Sequence, residues 1–126
     1  MLKQAKEICP TTTMGKLKEG ALMVDVRNTT EVNNVAFDVQ NYINIPLNEL
    51  EDRINEIPKD KEVIMVCRSG KSSLKATYFL MNAGYENVCS MRDGIIKWAS
   101  KGFPTKGNVD ELLTSSSCDC SSSNCC

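Results

Sequence analysis

The chain has 126 residues, 41% of them hydrophobic and 25% charged, which supports one core and one domain. Lys and Arg number 15 against 16 Asp and Glu, so the net charge of −1 gives no support for nucleic acid or a membrane surface as a partner. Histidine is absent, which excludes Cys-His and Ser-His hydrolases and every histidine-ligated metal centre.

Met1 to Pro10 alternates charged and apolar residues and lacks the apolar stretch of a signal peptide, so a cytoplasmic protein is expected. Ile8-Cys9-Pro10 reads as a short first strand. Thr11 to Thr13 offer N-caps for a short helix through Leu17, which Gly20 ends. Ala21 to Val26 is a continuous apolar run interrupted only by Asp25 and reads as a buried strand. Thr29 to Val35 is expected to make one or two helical turns. Ile43 and Ile45 mark a short strand stopped by Pro46. Leu47, Leu50, Ile54 and Ile57 repeat at helical spacing, with acidic residues early and Pro58 after them, and predict a helix. Glu62 to Val66 is the next strand, Ser72 to Ala83 a helix closed by Gly84, Asn87 to Met91 a last strand and Ile95 to Ala99 a last helix. No run is long enough to cross a bilayer as a helix.

Strands alternating with helices imply right-handed crossovers and a parallel sheet covered on both faces. Ligands in such sheets bind beyond the carboxyl ends of the strands, and Cys67 lies at one such end. Composition shifts near residue 108. Residues 115 to 126 read Ser-Ser-Ser-Cys-Asp-Cys-Ser-Ser-Ser-Asn-Cys-Cys, with no aliphatic or aromatic side chain to join a core. The expected organisation is a domain over residues 1–107 and a flexible Ser/Cys-rich tail over 108–126.

The stretch Cys67-Arg68-Ser69-Gly70-Lys71-Ser72-Ser73 joins the strand to the helix and carries the candidate site. Nearby cations and a helix N-terminus stabilise a thiolate relative to a thiol. Gly70 lets the backbone turn with positive φ and approach an anion closely. Arg68 and Lys71 add charge, and Ser69, Ser72 and Ser73 add hydroxyls. Successive inward N–H groups would complete an anion cradle. Cys67 is therefore the candidate nucleophile, and Arg68, Ser69, Gly70, Lys71, Ser72 and Ser73 are the candidate substrate-binding residues. Such a site needs no general base, which suits a chain without histidine.

With these motifs the chain resembles the rhodanese family of sulfurtransferases, as a single-domain member. Asp25-Val26-Arg27 followed by Glu31 is similar to the family's Asp-x-Arg plus acidic signature. Ile43-Asn44-Ile45-Pro46-Leu47 is similar to the segment that follows its His-Ile-x-Gly-Ala. Gly94, Trp98, Gly102 and Pro104 fall where its Gly-x3-Trp-x3-Gly-x-Pro ending stands. The departures are Asp38 at the family's histidine position, Asn41-Tyr42 at its Gly-Ala pair, Asp93 at the first glycine of its Gly-Gly pair, and Ser72 where many single-domain members have arginine. The resemblance implies a three-layer α/β fold with a central parallel sheet of about five strands covered by helices on both faces. It implies a transfer in which Cys67 takes sulfane sulfur from thiosulfate or another small anionic donor, carries it as a persulfide, and yields it to cyanide, a thiol or a protein acceptor, with no cofactor. Asp25, Arg27 and Glu31 are read as an internal ion-pair network, and Trp98 as core.

Two other classes compete. A cysteine phosphatase or arsenate reductase needs Cys-x5-Arg to grip its oxyanion bidentately, and the matching position here is Ser73. A non-catalytic binding or sulfur-carrier module would keep the fold without the turnover. The seven cysteines, an odd number without a secretory signal, argue against a disulfide framework. Cys118, Cys120, Cys125 and Cys126 are weak soft-metal candidates, and alternatively a sulfur or redox arm or a tail without a role. Cys9 and Cys89 are expected to pack.

Overall fold

The computed structural model describes residues 5–68 and 70–107. Along the chain lie β1 (Lys6–Ile8), α1 (Pro10–Lys18), β2 (Leu22–Asp25), α2 (Thr29–Asn34), β3 (Val35–Phe37), β4 (Tyr42–Asn44), β5 (Val63–Val66), α3 (Lys71–Asn82), β6 (Val88–Met91), α4 (Gly94–Ser100) and β7 (Thr105–Gly107). Five strands form one sheet in the order β1-β6-β5-β2-β4, and every pairing in it is parallel. The expected three-layer α/β architecture is present.

Strand side chains alternate between the two faces. Met23, Ile64, Val66, Cys89 and Met91 pack on one face with Ile95 and Trp98 of α4 and with Met14 and Leu17 of α1. Val24, Val63, Met65, Cys67 and Val88 pack on the other with Ala76 and Leu80 of α3, Leu50 and Ile57. The thiol of Cys67 thus belongs to the α3 side. Trp98 is fully buried, as expected for core, donates its indole N–H to the Pro104 carbonyl at 2.8 Å, and meets Phe37 and Phe103 edge-on. Cys89 is also buried, and its thiol is pushed up to about 11, first by burial and then by the charge of Glu62.

Several local expectations are corrected. The first helix is capped by Cys9 rather than by a threonine, with Pro10 in its first turn, where a missing N–H costs nothing. Cys9 itself is half-buried at that cap rather than in the core. The helix expected from Leu47 to Ile57 is instead two single 3-10 turns, Leu47–Glu49 and Ile54–Glu56. A helix this short is held mainly by packing, and here burial of Leu50 and Ile57 needs only those turns. Asn48, Asp52 and Asn55 are poor helix-interior residues, and Arg53 bonds Glu49 and Glu56 across the join at 3.0 and 2.9 Å. Finally, β3 and β7 form a second, antiparallel sheet that the residue pattern does not announce.

Candidate active site

β5 delivers Cys67 to the carboxyl edge of the sheet, where it is 3% exposed. The chain then reverses at Gly70, whose φ of 101° belongs to the left-handed region that favours glycine. Gly70 is the N-cap of α3, and its N–H donates to Cys67 Sγ at 2.9 Å. A Cβ on Gly70 would come within 2.9 Å of the Asp93 nitrogen.

The start of α4 holds the loop from behind. Ile95 N–H donates to the Cys67 carbonyl at 2.9 Å, and Ile96 N–H to that of Arg68 at 3.4 Å. Gly94 lies flat against the same carbonyls, and a Cβ there would overlap the Arg68 carbonyl oxygen. Asp93, just before it, has φ 66°. Aspartate is one of the few side chains that visit this region at modest cost, so Asp93 serves where the family pattern has its first glycine.

A cleft of about 660 Å³ opens over the thiol. Cys67, Arg68, Lys71 and Ser72 form one wall. Val26, Arg27, Asn28 and Glu31 form a second, and Pro46, Leu47 and Asn48 a third. Sheet order explains the meeting. β2 lies beside β5 with Asp25 opposite Val66, so the residues after each strand emerge together.

Of the residues singled out in the sequence, Cys67, Arg68, Lys71 and Ser72 line this cleft. Gly70 offers its N–H. Ser73 is completely buried behind the thiol instead, with Oγ 3.4 Å from Cys67 Sγ, 3.2 Å from the Gly70 carbonyl and 2.9 Å from Ser90 Oγ. Ser69, Cys118, Cys120, Cys125 and Cys126 lie outside the described residues, as does the proposed tail over 108–126.

Arg27 is the internal ion-pair partner expected, with its side chain only 3% exposed. Its guanidinium bonds Asp25 through Nε and through NH2, the latter at 2.7 Å, while its own backbone N–H also reaches Asp25 Oδ1 at 3.1 Å. Asn44 ties the Asp25 and Arg27 carbonyls at 2.8 and 3.0 Å. Burial works against the charge on Arg27, but the hydrogen bonds and charge of Asp25 hold its pKa above the ordinary arginine value. Desolvation offsets much of the attraction in such a buried pair, so its effect here is to fix geometry. Arg27 also lines the cleft, while its guanidinium stays on Asp25 and over the Phe37 ring. Glu31 joins no ion pair among the described residues, contrary to expectation; it lines the cleft and its N–H is capped by Asn28 Oδ1 at 2.9 Å.

Tyr42 donates its hydroxyl to Asp25 Oδ2 at 2.7 Å. Burial first, and then the Asp25 carboxylate, raise the Tyr42 phenol above its ordinary pKa. The folded chain therefore favours the neutral phenol. Its stabilisation is intact below the unfolded value of about 10 and is lost as pH rises past it. Tyr85 and Cys89 are raised as well and share this alkaline limb. Urea midpoints measured from about pH 8 to pH 11 should fall with pH, and fall less in Tyr42→Phe. Equal falls in the two proteins would contradict the assignment.

A buried thiol at the carboxyl edge of a parallel sheet, beneath a cleft lined by Arg68, Lys71 and Glu31, defines a cysteine-centred α/β domain suited to anionic ligands. The chain belongs to the rhodanese-like domain family, which matches residues 11–101. It is 38% identical over 86 residues to a protein named sulfurtransferase from Allochromatium vinosum, covering 68% of this chain and 78% of that one. It is 32% identical over 103 residues to the thiosulfate sulfurtransferase GlpE of Haemophilus influenzae, covering 79% and 92%. Among solved structures, a rhodanese-related protein from Thermoplasma volcanium superposes with a TM-score of 0.72 at 27% identity, over 82% of this chain and 99% of that one. These relatives support sulfur transfer as the general activity. Among the described residues no helix is long and apolar enough to cross a membrane.

Proposed function

We propose that the protein is a sulfurtransferase in which Cys67 carries the sulfur. The observation that carries this reading is the Gly70 N–H directed at Cys67 Sγ beneath the cationic cleft. In the first half-reaction the Cys67 thiolate attacks the outer sulfur of thiosulfate. A new S–S bond forms, the S–S bond of thiosulfate breaks, and sulfite leaves with the electron pair. Cys67 then holds a persulfide anion. In the second half-reaction cyanide or a thiolate attacks the terminal sulfur, its bond to Cys67 Sγ breaks with the electron pair staying on Cys67 as thiolate, and thiocyanate or a new persulfide is released. One difficult transfer becomes two easier ones, without a general base or a cofactor. Backbone N–H groups of the loop, Ser69 and Ser72 stabilise the persulfide anion, and Arg68 and Lys71 draw the anionic donor in.

Treatment with thiosulfate should add one sulfur atom to the intact mass, and peptide mapping should locate it at Cys67. An unchanged mass, or sulfur on another residue, would overturn the proposal. Replacing Arg68 and Lys71 together with alanine should raise the KM for thiosulfate by about tenfold, since each exposed charge contributes up to about 1 kcal/mol in this setting. An unchanged KM would remove them from donor binding.

A second reading, a sulfur carrier, is favoured by 29% identity over 83 residues to a protein named putative sulfur carrier YrkF in Bacillus subtilis, covering 66% of this chain and 44% of that one. It separates from the first by rate. A carrier would gain the sulfur on Cys67 but show no sustained turnover with thiosulfate and cyanide.

A further inference from the structure

Ser90 stands in the middle of β6, fully buried, on a sheet face otherwise filled by Val63, Met65 and Val88. A buried hydroxyl in such a place is costly unless it is hydrogen-bonded. Its partner is Ser73 Oγ at 2.9 Å, and Ser73 Oγ in turn lies 3.4 Å from Cys67 Sγ. Three elements thus bring two hydroxyls into line behind the thiol, on the side away from the cleft. The line is continuous and closed to solvent.

We propose that Ser90 is a positioning residue that holds Ser73 as a hydrogen-bond donor to the Cys67 thiolate. The proposal rests on Cys67 being the nucleophile. With Cys67 as a thiol, the S–H donates to Ser73 Oγ, and the Ser73 O–H donates to the Gly70 carbonyl at 3.2 Å. When the proton leaves, Cys67 becomes an acceptor, and the Ser73 O–H turns from the Gly70 carbonyl to the sulfur. Ser73 Oγ then needs a donor of its own, and the Ser90 O–H supplies it. A hydroxyl that accepts one hydrogen bond donates another more strongly. The thiolate therefore receives two donors, Gly70 N–H from the loop and Ser73 O–H from behind.

The device acts at two moments of the cycle. It favours the thiolate that attacks the donor, and it favours the same thiolate as the group that departs when the acceptor takes the sulfur. Between them the negative charge sits on the outer sulfur in the cleft, which Ser73 and Ser90 do not reach. Glu31 from the second wall, Arg68 from the loop and Lys71 from α3 line the same cleft, Arg27 is held in its pair with Asp25, and Asp93 lies behind Gly70. None of these is altered by a substitution at position 90.

The test is alkylation of Cys67 by iodoacetamide across pH, followed on the Cys67 peptide by mass spectrometry, in wild type, Ser90→Ala, Ser90→Thr and Ser73→Ala. Near-neutral rates should fall about three- to tenfold in Ser90→Ala and at least as far in Ser73→Ala, and the difference should vanish at alkaline pH, where all forms are thiolate. Ser90→Thr keeps the hydroxyl and should restore the wild-type profile. A Ser90→Ala profile that coincides with wild type would overturn the proposal. So would a uniform loss at every pH, or a Ser90→Thr profile that follows alanine. Alkylation reads the thiol whatever the sulfur donor, so a failure here is distinct from a failure of sulfur to load onto Cys67.

Discussion

Cys67→Ser should bring thiosulfate–cyanide turnover to background, a loss of about a thousandfold or more, while the protein stays folded. The reason is chemical rather than structural. A hydroxyl has no accessible anion at neutral pH and forms no stable bond to sulfane sulfur, so neither half-reaction has a carrier. Serine is close to cysteine in shape, and its oxygen can accept the Gly70 N–H that now reaches Sγ at 2.9 Å. The thermal midpoint should therefore move by only a few degrees, consistent with about 1 kcal/mol for loss of a buried sulfur in a domain of this size. Steady-state turnover and a melting curve on the same preparation check both halves. Residual turnover within tenfold of wild type would mean that the sulfur travels by another route.

Gly94→Ala should cost about 3–5 kcal/mol and should impair persulfide formation along with stability. Two effects add. Gly94 has φ 64°, where an alanine is strained, and its Cβ would overlap the Arg68 carbonyl, which is backbone and cannot step aside alone. Gly102 supplies the comparison. It has φ 79°, yet a Cβ there would meet nothing within 4 Å. Gly102→Ala should cost only the conformational part, about 1–2 kcal/mol. Urea unfolding of the two variants separates the contributions. If Gly94→Ala costs no more than Gly102→Ala, the contact between α4 and the thiol loop carries little of the stability.

The sheet and the thiol loop were legible in the sequence because their signals are local. Continuous apolar runs marked β2 and β5, and Gly70 between the Cys67 strand and the following helix marked the turn. What was illegible depends on which distant segments become neighbours. Arg27 enters the cleft because β2 lies beside β5, and a separation of forty residues in the chain gives no hint of it. Ser73 and Ser90 meet because α3 packs over β6, so Ser90 carried no signal of its own. The β3–β7 pair was missed because three-residue strands such as Thr105–Gly107 are too short to show a period. The Leu47–Ile57 segment misled in the opposite way. Its helical spacing was real, but the burial it served was met by two 3-10 turns.

The amides of Ile95 and Ile96 that hold the Cys67 and Arg68 carbonyls have a bearing on biosynthesis. The ribosome delivers the thiol first and its support some thirty residues later. β1 is in a similar position, because its neighbour in the sheet is β6 and it stays unpaired until residue 91 has been made. A nascent chain that ends between Gly70 and Gly94 thus carries the cysteine without the seat that shapes its loop. The shaped seat of the thiol is in this sense a late acquisition of the growing polypeptide.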